Sequence, residues 1–182
     1  MTTQFLPAFA GWLHTLGEDV LSLAHLLESP EAPAPYRRAS AEALSYLLRT
    51  AELIPEGIED LGYLEVAFAF RAVARRALAE AEDAGEGSLE GRVPRLAAEA
   101  ALVVDFLEDD IAPFWEMVFA PAALAHAGRP AADLLEDAEL RGTTLKHART
   151  WVERYHAPEP SAGQEELVKI RAFFRTRLRR AS

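Results

Sequence analysis

The sequence predicts an all-α fold, a helical bundle of about seven helices. Three observations predict it. Apolar residues recur at i, i+3, i+4 and i+7 through most of the chain. No stretch of convincing length alternates with strand period, and no repeat of fixed period is visible. Prolines and glycines punctuate the periodic stretches where turns are needed. At 182 residues, 50% of them hydrophobic and 26% charged, one domain is expected, hiding roughly 70% of its unfolded surface.

The elements follow in order. Residues 4–28 read as helix, with Val20, Leu23, Ala24 and Leu27 on one face. Within it Thr15-Leu-Gly-Glu18 matches a capping box, so the stretch is either one continuous helix or two pieces divided there. Ser29 to Pro35 holds three prolines and reads as a stiff extended link. Leu44, Leu47, Leu48, Ala51 and Ile54 then line a helix face that Pro55 should end. Gly57 and Gly62 give backbone freedom on either side of a short middle piece, and a new helix starts near Tyr63. From Val66 to Ala74 that helix is apolar on nearly every side, which predicts burial all round. The stretch 52–65 is therefore a helix–turn–helix corner, crowded by Glu52, Glu56, Glu59, Asp60 and Glu65.

Residues 84–92 form the clearest loop and divide the chain into parts 1–84 and 93–182, expected to pack as one globular unit. A helix over about 93–111 carries Leu96, Ala100, Val103, Val104 and Leu107. Glu108-Asp109-Asp110 ends it, three acids opposing the dipole, and Pro113 follows. The aromatic patch Phe114–Phe119 is expected in the core. Gly128-Arg-Pro130 marks a turn with Pro at the next helix's first position. Helices over 130–141 and 143–156 are separated or kinked at Arg141-Gly142, with Thr143 or Thr144 as cap. Pro158 to Gly163 reads as a loop, and 164–180 as the last helix.

Residues about 19–78 resemble the bacterial YkvA-like domain, a domain of unknown function. The resemblance rests on Asp19-Val20-Leu21, the link Pro30 to Pro35, Ala43-Leu44-Ser45-Tyr46-Leu47, Glu52-Leu53-Ile54-Pro55-Glu56 and Leu61-Gly62-Tyr63-Leu64-Glu65. Three family aspartates stand here as Glu52, Glu56 and Glu65. The family's Ser-Pro is replaced by Arg49-Thr50 leading into Ala51, and its second paired aspartate by Val66. If the last acidic pair binds a metal or caps a helix in the family, this copy does so less well. The resemblance implies no activity.

Composition excludes several classes. The formal net charge of −10 argues against nucleic acid, which needs a basic footprint. With no cysteine there is no disulfide, thiol nucleophile or thiolate metal site. No Gly-x-Ser-x-Gly elbow, Ser-x-x-Lys pair or phosphate loop occurs. Residues 1–17 lack the basic start of a signal peptide, and no window is apolar enough to span a bilayer, so a cytoplasmic location is expected, with a membrane-peripheral one open. Glu153-x-x-His156 has di-iron spacing on one helix face, but such bundles need two pairs and only one is present. Glu52, Glu56 and Glu65 could bind a divalent cation. The plainer reading is that they cap the corner's helices or dock a partner.

Residues 163–182 carry six basic side chains against two acidic ones, a net +4, while the rest of the chain carries −14. Lys169, Arg171, Arg175 and Arg179 accompany an apolar stripe of Leu167, Ile170, Phe173, Phe174 and Leu178. Such a helix can lie on an anionic membrane, meet a partner, or pack on the bundle and neutralise the acidic body. Packing is the favoured reading, because interfacial helices need more apolar area or a second signal. Together these features point to a non-enzymatic interaction or scaffold module with an unidentified protein partner and no cofactor. A peripheral membrane protein and a carboxylate-based metal enzyme are the alternatives.

Overall fold

The computed structural model describes residues 4–51, 59–86, 90–158 and 164–181, and among them the fold is all-α. Four long helices come first: α1 (Phe5–Glu28), α2 (Ala34–Ala51), α3 (Glu59–Asp83) and α4 (Arg92–Leu107). A 3-10 turn at Glu108–Asp110 leads into α5 (Ile111–Phe119). A minimal antiparallel hairpin of β1 (Ala125–His126) and β2 (Arg129–Pro130) precedes the single-turn α6 (Asp133–Glu136). The long α7 (Ala138–Arg154) and α8 (Gln164–Ala181) complete the chain order.

Helix α3 is the axis of the bundle. It packs against α1, α2, α4, α5 and α8, and every residue from Leu61 to Ala74 except Tyr63 is buried. A helix apolar on all sides has no solvent face to keep, so the other helices wrap it. The core around it is aromatic. Phe68 of α3 stacks on Phe174 of α8 with ring centroids 4.8 Å apart. Phe9 of α1 meets Phe106 of α4 edge-on at 4.9 Å. Phe114 of α5 stands edge-on to Phe174 at 5.8 Å. Residues from both sides of the 84–92 loop share one hydrophobic cluster. In the aromatic patch Phe114 and Val118 are buried, while Trp115, Met117 and Phe119 pack partly exposed against the core.

Several boundaries differ from the sequence expectation, each for a local reason. Of the two readings of the first helix the continuous one holds: α1 runs unbroken, and the Thr15–Glu18 box caps nothing. The buried stripe Leu13, Leu16, Val20 and Leu23 continues straight through it. The link expected to be extended shortens to 29–33 and is a turn, with Pro30 and Glu31 at its centre and the Ala32 N–H donating to the Ser29 carbonyl. Pro35 lies in the first turn of α2, where a missing N–H is harmless. Helix α3 starts before Tyr63, which places Gly62 inside it, buried, and not at a hinge. Pro130 lies in the hairpin and opens no helix. The break or kink expected at Gly142 is at Asp137, whose Oδ1 accepts from the N–H groups of Glu139 and Leu140 and so caps α7. The Arg141 guanidinium, inside α7, donates to the Leu134 and Leu135 carbonyls at the end of α6. Helix α7 ends at Arg154, so His156 lies beyond it and shares no helix face with Glu153.

Candidate functional site

Of the three corner carboxylates, Glu52 and Glu56 lie outside the described residues, as do Pro55 and Gly57. Glu65 is described, and it points inward. It is 1% exposed, and it accepts a hydrogen bond from the Tyr46 hydroxyl at 2.8 Å. Both its oxygens also accept from Arg177 of α8, at 2.9 and 3.1 Å. That fork is the geometry guanidinium and carboxylate favour, and it fixes α8 onto α3. The hydrogen bonds it donates to Glu65 hold the Arg177 guanidinium above its ordinary pKa. Burial, with the Glu65 charge next in weight, pushes the Tyr46 phenol well up. Glu65 is thus a structural anchor, neither a cap nor a surface docking group.

The basic helix also turns its chemistry toward the body. Leu167, Ile170, Phe174 and Leu178 are buried, so the stripe is packed on the bundle and Phe174 is a core residue instead of a surface one. Lys169 pairs with Glu166, Arg171 with Glu108 at 3.1 Å and Arg175 with Asp110 at 3.0 Å. Arg179 stays exposed on the outer face. Two of the three acids at 108–110, Glu108 and Asp110, therefore gain arginines from α8. Hydrogen bonding from Arg171 holds the Glu108 carboxyl below its ordinary value. No helix among the described residues is long and apolar enough to cross a membrane, and none of their His, Asp and Glu side chains gather in threes to hold a metal ion.

A buried charge network joins α1, α3 and α4. Arg71, fully buried, lies over the Trp12 ring at 3.8 Å from its centroid and donates to the Ala67 carbonyl and to Glu99. Asp19, also fully buried, accepts at Oδ1 from Arg92 at 2.8 Å and from Arg95. Burial pushes the Asp19 carboxyl above its ordinary value, against the pull of Arg95, Arg71 and Arg92. Burial likewise pulls the Arg71 guanidinium down to about 10, against Glu99 and Asp19. The signals for this network are in the sequence: Asp19 sits on the apolar face of α1, and Arg71 interrupts the apolar run of α3. Arg92 also lines a cleft with Leu21, Ser22, His25 and Leu26, while Asp19 is paired with Arg92 and Arg95, and Arg71 with Glu99, inside the fold.

An aromatic-lined cleft lies elsewhere, and no motif announced it. It measures about 480 Å³ and lies between the end of α2, the start of α3, the hairpin and the last turns of α7. Leu48, Tyr63, Trp151 and Tyr155 supply its apolar lining; His126, His147, Thr150 and Arg154 supply polar groups. The rings form a compact set. Trp151 stacks on Tyr155 at 4.6 Å, and Tyr63 stands edge-on to both, at 5.6 and 5.1 Å. The Tyr155 hydroxyl donates to the Leu13 carbonyl at 2.8 Å, which ties the platform to α1. Burial pushes that phenol well above its ordinary pKa. Across the cleft the His126 and His147 rings face edge-on at 6.4 Å. The hairpin brings His126 there through a two-residue turn, Ala127-Gly128, with both residues at positive φ as tight hairpins require. The spacing Trp151–Tyr155 is i, i+4 and so is visible in the sequence; Tyr63 joins only through the packing of α3 against α7. Comparison with known protein families, curated proteins and solved structures found no match to this chain.

Proposed function

We propose that this chain is a non-enzymatic interaction module whose partner docks in the aromatic cleft between α2, α3, the hairpin and α7. The observation that carries the reading is the half-buried Tyr63–Trp151–Tyr155 set in a concave site with a few polar groups at its edge. Concave, mostly apolar sites with a few placed polar groups are where ligands bind, and Trp, Tyr and Arg dominate binding hot spots. The conspicuous charges elsewhere favour this choice. Glu65 is paired with Arg177, Asp19 with Arg95, Arg71 with Glu99, Arg171 with Glu108 and Arg175 with Asp110 within the fold. A peptide-display selection against the folded protein tests the reading. Selected peptides should bind the wild type and bind Trp151→Ala at least about tenfold more weakly, a loss within the range of one aromatic hot spot. Peptides that bind both equally would place the partner surface elsewhere.

A further inference from the structure

We infer that the cleft recognises the free carboxylate end of a partner's polypeptide chain, with a bulky apolar or aromatic last residue. The inference rests on the cleft being the partner site and names what that site reads. One face of α7 carries the argument. His147, Thr150, Trp151 and Arg154 fall at i, i+3, i+4 and i+7, so a single helix face presents a ring platform, a hydroxyl and a guanidinium to the same cleft. Trp151 with Tyr63 and Tyr155 offers faces and edges to an apolar side chain. Arg154 is exposed, and among the described residues its guanidinium enters no ion pair.

The charge of the described lining selects the ligand. It contains one arginine, two histidines and no acidic side chain. A planar guanidinium binds a carboxylate through two parallel hydrogen bonds, which a neutral amide cannot match. Thr150 adds a hydroxyl donor one turn away. The end of α7 points its carbonyl dipole at the same region, which by itself disfavours an anion. Recognition therefore depends on Arg154, and this dependence makes the idea testable. A chain end supplies both features in one unit, a carboxylate one bond from the carbon that bears the side chain.

Two matched synthetic libraries, randomised at their last six positions, separate the possibilities; one has free C-termini and the other amidated ones. Wild type should retain free-carboxylate peptides ending in Phe, Tyr, Trp or Leu, and bind their amidated twins at least about tenfold more weakly, the scale of a lost charge-assisted hydrogen bond. Arg154→Met, at an exposed position, should abolish that preference while leaving apolar selectivity in place. Trp151→Ala should lose both libraries, with Trp151→Phe as the packing-conserving check and circular dichroism confirming the fold. Equal binding of free and amidated peptides, or a preference that survives Arg154→Met, overturns the carboxylate inference and leaves the cleft as partner site. Failure of both libraries to show any dependence on residue 151 overturns the cleft reading itself.

Discussion

At Asp19 two effects oppose each other. Arg92 and Arg95 bind its carboxylate, yet burial dominates and raises its pKa above the ordinary 3.8. A pKa higher in the folded than in the unfolded chain means that ionisation weakens the fold. The Asp19 contribution is fully present below about pH 3.8 and is lost as pH rises through the folded value. Asp19→Asn removes that titration and keeps the shape. Its stability relative to wild type should therefore rise between about pH 4 and pH 7, read from urea melts at the two ends. A variant that loses ground as pH rises would show that the arginines outweigh the burial cost. Arg71 tolerates its own burial because its charge is spread over a plane that Trp12 covers and Glu99 meets. A lysine there would be a point charge without that cover.

Among the elements, α7 separates what a sequence can say from what it cannot. Gly142 with the two following threonines looks like a helix boundary, since glycine weakens a helix by about 1 kcal/mol and threonine caps one. The structure absorbs that cost, because Leu145 and Ala148 bury the far side of α7 and Asp137 caps its start. A Cβ at Gly142 would meet nothing within 4 Å. Gly142→Ala should then stabilise the protein by about 0.5–1 kcal/mol, a few degrees in a thermal melt. A loss of stability would mean that α7 is in fact broken there. Where the apolar pattern was strong the reading held: the run Val66–Ala74 is buried on all sides, and the α8 stripe is packed. Where short motifs competed with a longer apolar face, the face won, as at Thr15. The network and the cleft were legible only in fragments. Asp19, Arg71 and Glu99, or Tyr63 and Trp151, are remote in sequence, and no local spacing encodes contacts that arise from how helices pack.

For the whole molecule, α8 is the closing piece. It covers the central helix with Phe174 and neutralises Glu65 with Arg177, while Arg171 and Arg175 reach the turn between α4 and α5. Phe174→Ala should cost about 3–5 kcal/mol, the range for an aromatic removed from a packed core, measured as a shift in the denaturation midpoint at unchanged slope. A cost within 1 kcal/mol, the ordinary scale of a surface change, would show that α8 is only loosely laid on the bundle. The Glu65–Arg177 fork also sets a timetable for synthesis. Its two halves are 112 positions apart. A ribosome adding roughly 5–20 residues per second needs about 6–22 s to travel that distance. Through that interval α3 has neither its arginine nor the ring that stacks on Phe68, so the nascent protein carries a carboxylate without its guanidinium and an open aromatic seam. The earlier helices can form as they emerge, but the final fold waits for the last eighteen-residue helix. Chains cut short before it would present that seam to chaperones and proteases.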